Sequence, residues 1–126
     1  MAQIHLSDGE WKLMKTLWEK QPRTLAELVS ALDKDTGWSR ATIFMMLKRL
    51  IAKGTVTMDS SGKFQKYSAA ITYADVEPEE TESFLSKVYG GSVGMMVSNL
   101  VDRGALSERD IQELRAILDA AEPRED

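Results

Sequence analysis

The spacing of apolar residues changes at Gly54 from the period of a helix to the period of a strand. Before Gly54 the apolar residues recur three and four positions apart. After it, "TVTMD" alternates, which places Val56 and Met58 on one face. A period of 3.6 residues is typical of an amphipathic helix, and a period of two is typical of a half-buried strand. The chain is therefore predicted to form helices first and a β-hairpin after them.

Start and stop signals divide the residues before Gly54 into three helices. "SDGE" at residues 7–10 and "TLAE" at residues 24–27 are capping boxes, in which two side chains satisfy free backbone amides of the first turn. Ser39 is the predicted N-cap of the third helix, and Gly54 is its stop. The predicted core positions of the third helix are Ile43, Leu47, Leu50 and Ile51, with Met46 at the margin.

The residues after Gly54 predict the hairpin. "SSG" at residues 60–62 is a tight turn, and "KFQKYS" at residues 63–68 is the returning strand. Phe64 and Tyr67 are its large residues, and their odd spacing suggests a bulge or a twist. Three helices followed by a hairpin are the order of a winged helix-turn-helix. We therefore predict a mainly α fold with a small β-hairpin wing, and a winged-helix domain at residues 1–72.

The two halves of the chain differ in charge. Residues 1–72 carry eleven Lys/Arg and seven Asp/Glu, a net charge of +4. Residues 73–126 carry five Lys/Arg and thirteen Asp/Glu, a net charge of −8. A basic half joined to an acidic half suggests two tasks, with the basic half facing an anionic partner.

Residues 73–126 are predicted to form a second domain of short amphipathic helices. The first two segments are "YADVEPEETESFLSKVYGG" and "SVGMMVSNLVDRG", and "SERD" at residues 107–110 caps the last helix. Pro78 is expected in the first turn of its helix, where proline is tolerated.

Helices of this length are marginal in water on their own, so their apolar sides need a cover. A second copy of the chain would provide one and form an isologous dimer. The alternative is that the helices fold back onto the N-terminal domain. The predicted dimerisation residues are Phe84, Leu85, Val88, Tyr89, Val93, Met96, Val97, Leu100, Val101, Ile111, Leu114 and Leu118.

The residue types that are missing exclude several classes of function. The chain has no cysteine, which excludes disulfides, thiolate metal sites and cysteine nucleophiles. With one histidine, His5, a histidine-rich metal site within one chain is excluded too. A Gly-rich phosphate loop is also missing, so we expect neither an enzyme nor a bound cofactor. An apolar run of about 20 residues is missing as well, so we expect no membrane insertion and a cytoplasmic protein.

These segments together resemble the BlaI/MecI/CopY family of bacterial transcriptional repressors, the penicillinase-repressor family. "LSDGEWKLMKTLWEK" is similar to the opening helix of the family, and "WSRATIFMMLKRLIAKG" is similar to its recognition helix. "FQKYS" resembles the second wing strand, and "ESFLSKVYGGSV" and "LSERDIQELRAIL" resemble the dimerisation helices. The resemblance extends from about Leu6 to Asp119, and the ordered set of segments is more specific than any one of them.

The resemblance implies a homodimer that binds a palindromic operator in double-stranded DNA and represses genes. In the β-lactam-responsive members a protease ends repression by cutting within the dimerisation region. The matching bond here joins Asn99 to Leu100 in "VSNLV", which makes a sensor protease a possible partner. Alternatively this bond is only structural, because Leu100 fits the apolar stripe of its helix. Copper-responsive members carry a cysteine cluster that this chain lacks.

A DNA-binding role would place the third helix in the major groove. At 100° per residue, Ala41, Met45, Lys48 and Ala52 point away from the core, with Thr42 and Arg49 on one flank and Phe44 on the other. Apolar groups such as Met45 can contact thymine methyls, and wing lysines can contact phosphates. The predicted DNA-binding residues are Ser39, Arg40, Ala41, Thr42, Met45, Lys48, Arg49, Lys63 and Lys66.

Alternatives remain for these residues. Lys48, Arg49 and the wing lysines could be ordinary solvated side chains, and Phe44 is expected to pack against the wing or the second helix. A second hypothesis for the whole chain is a protein-interaction adaptor that has lost DNA binding. In that case Phe44, Met45 and Met46 would form a patch for a protein partner.

Overall fold

The computed structural model describes residues 4–125, which fold into helices and a small antiparallel sheet. The helices are α1 (Asp8–Glu19), α2 (Leu25–Thr36), α3 (Arg40–Ala52), α4 (Tyr73–Tyr89), α5 (Val93–Asp102) and α6 (Glu108–Ala120). The strands are β1 (Arg23–Thr24), β2 (Val56–Asp59) and β3 (Lys66–Ala69). This confirms the predicted mainly α fold with a small β wing.

The chain divides into two compact units, one ending at Glu80 and the other beginning at Thr81. The boundary lies inside α4. The boundary predicted from the sequence, between residues 72 and 73, lies at the first residue of this helix. The assignment of separate tasks to the two halves stays a prediction.

The predicted starts of α1, α2, α3 and α6 are confirmed. In α1 the Ser7 N–H donates to Glu10 Oε1 at 2.9 Å, and the Glu10 N–H donates to Ser7 Oγ at 3.2 Å. The same reciprocal pair begins α2 at Thr24 and α6 at Ser107. Ser39 caps α3, as expected. Each cap satisfies amides that would otherwise lack a partner.

The sheet has one strand more than the predicted hairpin. Its order is β1-β3-β2, all antiparallel, and Arg23 and Thr24 of β1 pair with Tyr67 and Lys66 of β3. Two residues are too few to show the alternation of a strand, and Thr24 is also the N-cap of α2. The sequence therefore did not predict β1.

The wing differs from the prediction at Phe64. The strand β3 begins at Lys66, so Phe64 lies in the preceding turn, 62% exposed. The odd spacing from Tyr67 therefore needs no bulge, and β2 and β3 pair in continuous register from Val56–Ala69 to Asp59–Lys66. Val56 is buried but Met58 is 42% exposed, because the far end of the hairpin extends beyond the core.

The core of the first unit combines residues from α1, α2 and α3 with residues of the sheet. Ile51 was predicted to belong to it and Met46 to its margin, but Ile51 is 38% exposed and Met46 is 5% exposed. Relative to Ile43, Met46 lies at about 300° and Ile51 at about 80° around the helix, so the buried stripe is centred nearer to Met46. The largest fully buried side chains are Leu13, Met14, Leu17, Leu28, Ile43, Leu47, Leu50 and Thr55.

Aromatic side chains join α1 to the first turn of α4. The rings of Trp11, Trp18 and Tyr73 contact one another edge to face, with centroids 5.7–6.1 Å apart. Trp18 Nε1 also donates to the Ile71 carbonyl at 2.8 Å. Edge-to-face pairs add to the free energy of burial, so this cluster holds the start of α4 in the first unit.

The predicted position of Pro78 is wrong. Because α4 begins at Tyr73, Pro78 lies in the second turn, where it lacks the N–H that would reach the carbonyl of Ala74. The helix begins early because Asp75 Oδ2 accepts the Thr72 N–H at 2.8 Å and Val76 is buried.

The second unit consists of the rest of α4 with α5 and α6. Within residues 81–125 no side chain is buried. Met96 and Leu100 of α5 line a shallow groove with Leu114 and Ile117 of α6, so these two helices pack only in part. None of the described helices has the length and apolarity needed to cross a bilayer.

Candidate nucleic-acid interface

The helix α3 buries one face and exposes a cationic one. Ile43, Met46, Leu47 and Leu50 are buried. The predicted contact residues of this helix are all exposed, namely Arg40, Ala41, Thr42, Met45, Lys48 and Arg49. The sequence of α3 carries three cations and no carboxylate, in a chain whose net charge is −4. The exposed face is therefore locally positive, which favours an anionic partner.

The N-terminus of α3 is ordered by Ser39. Its Oγ accepts the Thr42 N–H at 3.1 Å and donates to Thr42 Oγ1 at 3.0 Å. Both interactions keep Ser39 at the cap, whereas the Thr42 hydroxyl retains a proton that it can donate to a ligand. Arg40, next to the cap, is exposed at the helix end.

The middle of α3 presents two different surfaces. Lys48 Nζ lies 5.1 Å from the centroid of the Phe44 ring, which is a cation–π contact. Met45 lies outside this pair and is 56% exposed. Phe44 itself is half-buried and lines a groove with residues of α2 and the wing. Its packing against either of them stays a prediction.

The C-terminus of α3 is tied to α1 by an ion pair that sequence reasoning missed. Lys53 Nζ lies 2.6 Å from Glu10 Oε1 and 3.0 Å from the His5 carbonyl oxygen. The Glu10 side chain is buried, whereas that of Lys53 is 40% exposed. The capping box was visible in the sequence, but no local pattern relates residues 43 positions apart.

Burial raises the pKa of Glu10, but hydrogen bonds from Lys53 and from the Ser7 backbone outweigh it. The pKa of this carboxyl therefore lies below its usual value. Glu10 is thus charged at neutral pH and connects the cap of α1 to the end of α3.

The two wing lysines have different surroundings. Lys63 lies in the turn, and its Nζ is 5.4 Å from the centroid of the Phe64 ring. Lys66 is opposite Asp59 in the sheet. The hydrogen bond from the Ser61 backbone, and in smaller part the charge of Lys66, lower the pKa of Asp59. Lys66 therefore has a charged neighbour, which leaves Lys63 better placed to meet a phosphate.

The predicted dimerisation residues lie on α4, α5 and α6. Phe84, Val88, Val93, Val101 and Leu118 are exposed. Leu85, Tyr89, Met96, Val97, Leu100, Ile111 and Leu114 are half-buried. Ile117 of α6, which is not in the predicted set, is also exposed, at 56%.

The Asn99–Leu100 bond lies inside α5. Asn99 is exposed and Leu100 is half-buried. The Asn99 carbonyl accepts the Arg103 N–H at 3.3 Å, and the Leu100 carbonyl accepts the Ala105 N–H at 3.0 Å. The bond is therefore part of a hydrogen-bonded helix end.

An exposed cationic third helix next to a small antiparallel wing places this protein in the winged-helix class. The family model described as "Penicillinase repressor" matches residues 6–120. The chain therefore belongs to the penicillinase repressor family, a family of transcriptional repressors, and the resemblance to BlaI/MecI proteins is confirmed.

Two relatives illustrate the similarity. The chain is 34% identical over 114 residues to the penicillinase repressor of Bacillus licheniformis, covering 90% of this chain and 89% of that protein. It is 29% identical over 113 residues to the methicillin resistance regulatory protein MecI of Staphylococcus aureus strain N315, covering 90% and 92%.

Solved structures match the first unit. The solution structure of the Bacillus licheniformis BlaI monomeric form in complex with the blaP half-operator has a TM-score of 0.52 and 32% identity, covering 59% of this chain and 90% of that one. The DNA-binding domain of the repressor BlaI has a TM-score of 0.51 and 34% identity, covering 56% and 85%. These similarities confirm the winged-helix fold.

Proposed function

We propose that this DNA-binding transcriptional repressor binds a palindromic operator as a homodimer, with α3 in the major groove. The observation that supports this proposal most strongly is the exposed cationic face of α3 in a winged-helix fold. The BlaI structure with a half-operator is that of a relative with the same fold, which supports DNA as the partner. Operator DNA as the partner also implies a cytoplasmic protein.

Each predicted residue has a physical role in this proposal. Arg40, Lys48 and Arg49 supply cations for phosphates or guanine edges, and Thr42 supplies a hydroxyl donor. Ala41 and Met45 contact apolar groups such as the thymine methyl. The lysines Lys63 and Lys66 contact phosphates, and Ser39 orders the helix end through which these contacts are made.

The dimer in this proposal is formed by the second unit. Its apolar side chains on α4, α5 and α6 are exposed or half-buried within one chain. A second copy would remove them from water, and each side chain of this size gains about 1.5–3 kcal/mol when fully buried. Two linked winged helices would then match a two-fold symmetric operator.

Release from the operator could follow cleavage of the Asn99–Leu100 bond by a sensor protease. Because this bond lies in α5, the helix end has to unwind before a protease can bind it. Cells that receive the inducing signal should contain two fragments that separate at this bond. An intact chain after induction, or a cut elsewhere, would point to another signal.

Fluorescence anisotropy with fragments of the protein's own promoter region tests the central proposal. We expect binding to one palindromic duplex that weakens steeply as salt rises, because phosphate contacts release counterions. Failure of the folded protein to bind any fragment at low salt would reject DNA binding.

The adaptor alternative rests on the exposure of Met45 on α3. The substitution Met45→Lys separates the two hypotheses. A DNA-binding protein should keep or gain non-specific affinity for a duplex, because the change adds a cation. An adaptor should show no duplex affinity before or after the change, and it should lose its protein partner.

A further inference from the structure

A groove runs between the N-terminus of α2, the recognition helix α3 and the turn of the wing. Its volume is about 370 Å³. The apolar part of its lining consists of Leu25, Phe44, Phe64 and Tyr67. Phe44 comes from α3 and Phe64 from the wing, so the two phenylalanines bring separate elements to one surface.

The charged part of the groove is cationic. Arg40 of α3 and Lys63 of the wing lie on its lining, and among the residues that the structure describes no carboxylate lines it. The groove lies within residues 1–72, which carry a net charge of +4. Charge complementarity therefore indicates an anionic occupant.

The aromatic side chains restrict what that occupant can be. Phe64 is 62% exposed and is held beside Lys63 by a cation–π contact. A small inorganic anion would leave this apolar surface in water. A sugar–phosphate backbone alternates phosphates with the C–H faces of deoxyribose, so it offers both kinds of surface that the groove presents.

The topology places this backbone at the groove. One sugar–phosphate strand separates the major groove from the adjacent minor groove. With α3 in the major groove and the wing beside it, that strand passes between helix and wing. We propose that the groove seats this strand, with Arg40 and Lys63 on its phosphates and Phe44 and Phe64 on its deoxyribose rings. The inference rests on the proposed DNA-binding function and adds two residues that carry no charge.

The substitution Phe64→Ala tests the proposal, because an exposed side chain can be removed without disturbing the core. We expect about tenfold weaker binding, the effect of losing most of one apolar contact. The loss should be equal for operator and unrelated duplex, since every sequence has the same sugars. The slope of log Kd against log salt should not change, because no phosphate contact is lost.

Matched variants make the test specific. Met58→Ala removes an exposed apolar side chain of β2 that is not part of the groove lining, and it should bind as the unmodified protein does. Lys63→Ala should lower the salt slope by about one. Phe44→Leu keeps an apolar residue at a half-buried site and should weaken binding with an unchanged slope.

Three results would overturn the proposal. They are unchanged affinity in Phe64→Ala, an equal loss in Met58→Ala, or a loss in Phe64→Ala that is confined to the operator sequence. In each case the unmodified protein still binds DNA, so the proposed function stands. If the unmodified protein binds no duplex, the proposed function fails, and this inference fails with it.

Discussion

Residues 4–80 bury thirteen apolar side chains, whereas residues 81–125 bury none. Both regions contain short capped helices, and the amphipathic patterns of these helices look alike in the sequence. The difference is that three helices and a sheet surround one core in the first unit, while the second has only shallow packing between α5 and α6. A similar helical pattern thus forms a buried core in the first unit and leaves apolar side chains exposed in the second.

The largest effect should come from a core truncation in the first unit. Leu47 is fully buried, so Leu47→Ala should lower the free energy of unfolding by about 2–5 kcal/mol. Leu118 is 69% exposed, so at concentrations where the chain is monomeric Leu118→Ala should change it by less than about 0.5 kcal/mol. Urea unfolding measures the change in the free energy of unfolding for both variants. Equal losses would contradict the comparison between the two units.

A charge on the apolar surface of the second unit should separate dimer from monomer. Leu118→Lys should shift sedimentation to the monomer and weaken binding to a full palindrome about hundredfold, because the linked second half-site is lost. Binding to a half-operator should stay the same. Gln112→Lys, at an exposed polar position of the same helix, is the matched control. A dimer that survives Leu118→Lys would mean that another surface forms the interface.

The ion pair between α1 and α3 should have an intermediate effect. Glu10→Gln should lower the free energy of unfolding by about 1–2 kcal/mol at neutral pH, since Lys53 stays partly solvated. Because the pKa of Glu10 in the folded state is below its usual value of 4.5, the stability that its charged form contributes is present above that pH. It is lost as the pH falls through the lower folded value.

Unfolding measured between neutral and acidic pH checks this sign. The difference between the unmodified protein and Glu10→Gln should shrink below pH 4.5. Glu27, Asp59 and Asp110 also have lowered pKa values. Both proteins contain these groups, so their contributions to the free energy of unfolding cancel in the difference. Glu19→Gln, a change at an exposed position on the same helix, is the matched control. A difference that grows as the pH falls would contradict the assigned ion pair.

The smallest effect should come from one exposed lysine of α3. Lys48→Ala should reduce the slope of log Kd against log salt by about one, with little change in stability. Lys34→Ala removes an exposed lysine from α2, outside the proposed interface. Anisotropy titrations at several salt concentrations give the slopes for the unmodified protein and for both variants. Equal slopes in all three proteins would mean that Lys48 is only a solvated side chain.

The winged-helix frame could be predicted because its signals are local. The capping pairs begun by Ser7 and Thr24, the cap at Ser39 and the change of period at Gly54 lie within a few residues of the atoms they organise. The exposed face of α3 followed from the helical angle alone. The errors at Phe64 and Pro78 concern where a strand and a helix begin, and the error at Ile51 concerns which side of α3 is buried. Neighbouring elements decide both.

The sequence by itself determined the order of elements, the division of charge and the face of α3 that stays in water. Only the tertiary structure decided which residues meet across the chain. The Glu10–Lys53 pair, the strand β1 and the groove between Phe44 and Phe64 all join residues distant in sequence. Periodicity and caps depend on backbone geometry within one element, whereas these contacts depend on how separate elements pack, and no local pattern encodes that packing.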